Sequence, residues 1–388
     1  MRAPKPVPGH ERRRDRRCGR HARRRRCPRS FLHDPGCAVT YTLTTACHRV
    51  FARHETFHAR YGWFRKAVIG AQENPDLFTA EDATVSLGVG KNMVRAIRFW
   101  GGAAKVIAEA ASPGKRRNSA VRPTLNGEAV FGVDGVDPYM EAPGTLWLLH
   151  WWLLRPPCEL PVWWIAFNRF SSVEFTEEDL VRVVNEEILR HGWVMPNESS
   201  IRKDISCLLR TYAAADHGRA SLDDLLDSPL RGLGLIERSR AAGRSAGGGA
   251  PGAGYRFLLG AKPSLPPEII AFAMLDWMAR IGAARTVSMA NAVFEPGSPG
   301  KVFGLSERAL NDAMTRVVDT YAIGQLLTTA GATQFVVMAS ESLPELAQSL
   351  LTRYYENLRM KLSRPLGDGP ASYNDAALVS LSAAGGAK

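Results

Sequence analysis

His54-Glu55-Thr56-Phe57, Arg60-Tyr61-Gly62-Trp63 and then Leu87-Gly88-Val89-Gly90-Lys91-Asn92-Met93-Val94 frame the stretch that decides the fold, His54 to Ile107. Trp63, Ala67 and Ala71 recur at helical spacing, which predicts a helix starting at Trp63. Asn74-Pro75-Asp76 is a turn that starts a second, shorter helix, expected from about Phe78 to Ser86. Gly88 sits where the next turn needs a positive φ. A third helix begins with Met93 to Trp100. Val94 and Ile97 are spaced to pack it on the other two, which leaves Lys91, Asn92, Arg95 and Arg98 on its open side. Helix, short helix, glycine turn and basic helix are the parts of a helix-turn-helix. Those four polar residues are therefore expected to contact DNA. A helix-turn-helix with a purely structural or docking role is the alternative.

Gly88-Val89-Gly90-Lys91 does not form a phosphate loop. That loop needs a longer spacer between its glycines and Ser or Thr after the lysine, whereas Val89 alone separates the glycines and Asn92 follows.

Working outward, the 388-residue chain is long for one core, so roughly two or three domains are expected. Its formal charge is +12, but residues 1–36 carry +10 of that and the rest only +2. Any grip on an anionic partner must come from local clusters, since the body has no strong overall field. The arginine-rich opening (Arg12-Arg13-Arg14, Arg23 to Arg26) has too few apolar residues to fold alone. It is either an arm for phosphates or a run translated from upstream sequence. Charges with no apolar stretch after them do not make a secretory signal.

Cys18, Cys27, Cys37 and Cys47 are too widely spaced for a usual zinc site, and Cys158 and Cys207 read as core thiols of a reducing cytoplasm. No membrane span is expected, because Thr145 to Phe167 is broken by His150, Arg155, Pro156, Pro157 and Glu159. The five tryptophans of that stretch (Trp147, Trp151, Trp152, Trp163, Trp164) are expected to form a core, with His150 inside it.

Lys115-Arg116-Arg117-Asn118 and a strand at Val121 to Leu125 extend the first unit into a winged helix. The order then recurs. Thr176 caps a helix to about Arg190, where Gly192 stops it, and a second helix runs from Ile201 to Tyr212. That helix has an apolar side and a polar side with Arg202, Lys203 and Arg210, again expected at DNA. Strands at Glu237-Arg238 and Tyr255 to Leu258 follow, joined by a long Gly/Ala/Arg/Ser tip. A third round has helices at Pro267 to Ile281, Arg285 to Phe294 and Leu305 to Tyr321, a loop at Pro296 to Gly300 between the last two, a hairpin at Gln325 to Met338, and a helix at Pro344 to Leu362. The fold class is thus mainly α with small β-hairpin wings, as tandem winged-helix-like modules around a Trp-rich core. The expected divisions are a disordered basic tail (1–46), modules at 47–140, 141–262 and 263–362, and a disordered tail (363–388).

Several of these motifs together carry a resemblance. They are the two framing runs above, Asp137-Pro138-Tyr139, Gly144-Thr145-Leu146-Trp147-Leu148-Leu149-His150, Arg202-Lys203-Asp204, Leu209-Arg210-Thr211-Tyr212, Asp227-Ser228-Pro229-Leu230 and Tyr354-Tyr355. Over about residues 48–360 the chain resembles the bacterial domain-of-unknown-function family 4007. That family includes the DNA-nicking component of the Ssp DNA phosphorothioation defence system. The resemblance implies double-stranded DNA as substrate. It implies a cysteine desulfurase, an ATPase and a sulfur-transfer protein as partners, and nicking of one strand so that sulfur can enter. The alternative function is a non-catalytic adaptor that recruits the modification machinery.

Strand cleavage needs an activated nucleophile and stabilisation of phosphoryl charge, often with Mg²⁺ or Mn²⁺. No D-x-D, E-x-K or H-N-H pattern stands out. The densest constellation is His54, Glu55, His58 and Arg60. If helical, it puts both imidazoles on one face, with Glu55 as base or ligand and Arg60 on the phosphate. Capping and ion pairing near the first helix is the structural alternative. Asp134 and Asp137 with Tyr139 form a second candidate, in a turn.

Overall fold

The computed structural model describes residues 40–110, 120–213, 228–239 and 254–362. The expected tail stops earlier than residue 46. Thr42 caps a short helix, α1 (Leu43–Ala46), through a reciprocal capping box with Thr45. Tyr41, Leu43 and Ala46 are buried, which anchors this segment to the body. Residues 1–39 and 363–388, and with them what the sequence leads one to expect of both tails, lie outside the described residues, as does Lys115 to Asn118.

The first unit follows the expected order, with changed boundaries. α2 (Trp63–Glu73) leads to a 3₁₀ turn (Leu77–Thr79) and α3 (Ala83–Leu87). The single helix expected from Phe78 to Ser86 is therefore split, and Asp82, at the N-cap position of the second piece, accepts from the Ser86 hydroxyl at 3.1 Å. Gly88 ends α3 at φ 63°, the left-handed position the sequence required. α4 (Lys91–Ala103) buries Val94, Ile97 and Trp100. β1 (Ile107–Glu109) and β2 (Val121–Pro123) pair antiparallel. The strand predicted to Leu125 stops at Pro123, because Thr124 caps a helix that sequence reading missed, α5 (Leu125–Phe131).

α6 (Pro143–Leu154) and α7 (Pro161–Asn168) hold the five tryptophans, all buried. α6 is apolar all round, as a helix enclosed on every side must be. His150 is a satisfied core residue, as expected: one ring nitrogen faces the Tyr212 hydroxyl at 2.8 Å and the other faces the Val302 carbonyl at 2.8 Å. Burial pulls its pKa down to about 4, so the ring is neutral. Neutrality assigns Nε2–H as donor to Val302 and Nδ1 as acceptor from Tyr212.

β3 (Glu174–Thr176) runs into α8 (Glu177–Arg190), capped by Thr176 with Asp179, and α9 (Glu198–Tyr212) follows. β4 (Ile236–Ser239) and β5 (Gly254–Phe257) complete a sheet of order β3-β5-β4. The last round repeats this. α10 (Pro267–Arg280) precedes β6 (Thr286–Ser288), α11 (Met289–Phe294), α12 (Pro299–Phe303) and α13 (Glu307–Tyr321). β7 (Gly324–Thr329) and β8 (Ala332–Val337) then form a sheet of order β6-β8-β7. The helix expected over Arg285 to Phe294 is thus a strand followed by a helix. Thr286 and Val287 suit a strand that pairs with β8. The expected Pro/Gly loop is cut short by α12, where Ser298 caps a helix with Pro299 at its first position.

α14 (Leu343–Leu362) closes the fold along α10. Its Tyr354 hydroxyl accepts from the Gly144 backbone N–H at 3.0 Å. A Cβ at residue 144 would lie 2.5 Å from the Tyr354 ring, so only glycine allows this approach. Next to it, Thr145 donates to Asp137 at 2.5 Å and accepts from Tyr355 at 2.7 Å. Among the described residues no helix is long and apolar enough to cross a membrane.

Candidate nucleic-acid interface

The open side of α4 lines a groove of about 1570 Å³. The segment before α2, Phe78 of the 3₁₀ turn, the β1–β2 pair with Lys105 before it, the start of α5 and the loop after α6 supply the rest of the lining. Six basic side chains face it: Arg49, Arg53, Arg95, Arg98, Lys105 and Arg155. Three carboxylates accompany them, Glu55, Glu109 and Glu159. In a body of nearly balanced charge this is a local positive excess. Arg95 lies 3.7 Å from Glu55, and Arg98 lies 3.0 Å from Glu109. Such solvent-facing pairs are weak, so these guanidiniums are free to exchange a carboxylate for a phosphate.

Deeper in, Arg155 pairs with Asp276 at 3.5 Å and Lys105 donates to the Trp152 carbonyl at 2.6 Å. Burial pushes the Lys105 amine down to about 8. Arg49 and Arg53 are exposed. Both were missed by sequence reading, and the left-handed backbone at Ala52 breaks the strand alternation that could have pointed to them.

The segment that carries Glu55 is not helical, so the expected alignment of His54 with His58 does not form. Ala52, Glu55 and Thr56 have φ of 54°, 52° and 66°. A left-handed non-glycine residue costs on the order of 1–3 kcal/mol, which the surroundings must offset. α9 supplies that support. Asp204 accepts from the Ala52 backbone N–H at 2.9 Å and from His54 Nε2 at 2.7 Å. Cys207 donates to the Phe57 carbonyl at 3.4 Å, and Arg210 donates to the Thr56 carbonyl. On the near side the Trp100 indole donates to Phe57 O at 3.0 Å.

His54 is fully buried, between Trp100 and Trp163. Burial lowers its pKa, but the Cys207 sulfur and the Asp204 carboxylate outweigh that and raise it to about 10. It is a charged anchor for the turn. Arg60 has its guanidinium 5.6 Å from both the Phe57 and Trp63 rings and is not part of the groove lining. Of His54, Glu55 and Arg60, therefore, only Glu55 faces the groove. Neither His54 nor Glu55 caps α2, whose N-cap is Gly62.

The basic residues of α9 meet a different fate. Arg202 is held by Glu178 at 2.6 Å and Glu198 at 2.9 Å, and Arg210 is spent on Thr56, while Lys203 is exposed. On α4, Lys91, Asn92 and Arg95 are exposed and Arg98 is half-buried. Asp137 turns out to cap its own turn: its carboxylate accepts from the Glu141 and Ala142 backbone N–H groups and from Thr145. Tyr139 packs under Arg65 at 5.0 Å, and Asp134 is exposed.

A two-armed arrangement thus emerges: a basic groove, and behind it a buried brace that couples the 52–57 turn to α9. The chain belongs to the family described as "Protein of unknown function (DUF4007)", which matches residues 51–355. It is also similar to two solved structures, described as "SspB crystal structure" and "Magnesium ion-bound SspB crystal structure". They are 36% and 37% identical to it, each with a TM-score of 0.73 over 83% of this chain and 92% of theirs. No curated protein matched.

Proposed function

We propose that this chain is the DNA-binding component of a bacterial DNA phosphorothioation and anti-phage defence system, and that it nicks one strand so that sulfur can enter. The carrying observation is the positive groove beside α4. Support also comes from the sheet orders β3-β5-β4 and β6-β8-β7 behind paired helices. First strand added to the third is the arrangement of a winged helix, a fold widely used on DNA. A cysteine desulfurase, an ATPase and a sulfur-transfer protein are the partners that reading requires.

In this reading Glu55 is the catalytic group. Its carboxylate takes a proton from the attacking water as the new P–O bond forms. Arg95 and Arg53 hold the non-bridging oxygens as the phosphorus gains charge. The strand ester bond then breaks, and its oxygen takes a proton from solvent. His54 is a positioning residue: it fixes the turn from behind and touches no substrate.

Among the described residues no group of three His, Cys, Asp or Glu side chains is placed to hold a metal ion. We therefore route no step through Mg²⁺ or Mn²⁺. The second reading is a non-catalytic DNA-binding adaptor that recruits the machinery.

A supercoiled-plasmid nicking assay, with and without Mg²⁺ or Mn²⁺, separates the two. Glu55→Gln should abolish nicking and leave the melting temperature unchanged, whereas His54→Ala should lower both. Nicking retained in Glu55→Gln rules out the catalytic role of the turn.

A further inference from the structure

The groove has two features that a duplex-docking surface does not need. The first is shape. A recognition helix must protrude to enter a major groove about 12 Å wide. Arg95, Arg98 and Phe99 instead line a concavity, while Lys91 and Asn92, at the start of α4, are exposed and outside it. One helix thus presents an outer end and a recessed side.

The second is chemistry. Phe51, Phe78 and Phe99 line the same concavity, each only half-buried. Phe51 lies between Arg49 and Arg53 in sequence, and Phe99 follows Arg98. Aromatic faces interleaved with guanidiniums suit a strand whose bases are unstacked. The rings take the bases, and the guanidiniums take the phosphates. Paired bases offer their faces only to each other, so a duplex leaves these rings unused. The volume agrees. At about 1570 Å³ the groove exceeds the range of about 300–1000 Å³ typical of sites for one small ligand. It has room for more than one nucleotide.

We infer that the groove binds an unpaired stretch of DNA, with bases stacked on Phe51 and Phe78 and phosphates held by Arg49, Arg53, Arg95 and Arg98. This rests on the DNA-binding reading above and sharpens its substrate. The chain holds duplex on the exposed start of α4 and a locally opened strand in the groove. Phe99 is left out of the test because it packs on both His54 and Trp100; Phe51 meets Trp193 edge-on, so the melting temperature of each variant is measured alongside.

The test uses the full chain and fluorescein-labelled DNA of one length in three forms: single strand, duplex, and duplex with a short unpaired gap. Fluorescence anisotropy should show the gapped form binding tighter than the duplex. Phe51→Ala/Phe78→Ala should lower single-strand and gapped affinity by about tenfold or more and leave duplex affinity in place. Phe78→Leu, which keeps an apolar side chain for packing, should lose part of the same preference with an unchanged melt. In the wild type, 2-aminopurine in the gap should be quenched on binding, as stacking requires. Duplex binding with no preference for the gap, or unquenched 2-aminopurine, overturns this inference alone. Failure of the wild type to bind any of the three forms overturns the DNA-binding reading itself.

Discussion

α4 and α9 carry the same signature in sequence, an apolar stripe with basic residues on the other side, yet the structure uses them differently. On α4 the cations stay at the surface. Among the described residues, Arg95 and Arg98 pair with Glu55 and Glu109, in solvent-facing pairs. On α9, two carboxylates hold Arg202, and Arg210 supports the turn of another unit. Basic residues at helical spacing therefore mark a face, not a vacant charge. What decides is whether neighbouring elements bring carboxylates or carbonyls to that face, and for α9 those come from Glu178 on α8 and Thr56 in the turn. α9 is a brace for the 52–57 turn, and α4 is the open surface beside that turn.

The sharpest way to break this contrast is at Asp204. Asp204→Asn leaves the buried His54 imidazolium without its counter-charge, an event that typically costs about 3–5 kcal/mol. Thermal or urea unfolding should show it, with nicking lost in parallel. The pH dependence follows from His54, whose pKa is raised from 6.5 to about 10 in the fold. A raised histidine stabilises fully below the unfolded value and loses that stabilisation as pH rises through the folded value. The gap between wild type and variant should therefore be widest below about pH 6.5 and close as pH approaches 10. A gap independent of pH would mean that Asp204 works only through the Ala52 N–H.

A second comparison sets Lys91→Ala/Arg95→Ala against Arg202→Ala/Lys203→Ala in binding to the gapped duplex, which engages both the start of α4 and the groove. Each phosphate contact removed flattens the log–log salt dependence by about one unit. The α4 pair should lose about two units, and the α9 pair at most about one, from Lys203. Equal losses would erase the distinction between surface and brace.

The smallest effect is expected at Arg210→Ala. Removing its bond to the Thr56 carbonyl should cost about 1 kcal/mol, read as a small fall in melting temperature. Duplex salt dependence should not change. If it flattens, Arg210 is a DNA contact after all.

Much of the fold was legible because its signals are local. Thr176, Gly88 and Gly192 mark helix ends by capping and positive φ, and Trp63, Val94 and Ile97 mark one packed face. β6 and α12 were hidden because pairing with β8 overrides the helical look of 285–294, and because Pro299 reads equally as loop or first helical residue. The site was legible only in part. The groove's α4 residues stand out by spacing. The partnership of His54 with Asp204 spans 150 positions and has no local trace. Glu55 drew attention for its neighbours in sequence, yet its neighbours in space are Arg95 and the groove.

The contact of Gly144 and Thr145 with Tyr354 and Tyr355 bears on how the protein comes into being. The contacting residues are separated by 210 positions, and α10, along which α14 packs, waits for that face to be covered. At roughly 5–20 residues per second, a ribosome needs about 10–40 s to deliver the missing helix. Until α14 arrives, the nascent chain exposes the apolar face of α10 that α14 covers. Premature termination just before α14 would leave it exposed permanently, so such a product is expected to aggregate or to be degraded rather than to persist as a shorter, working protein.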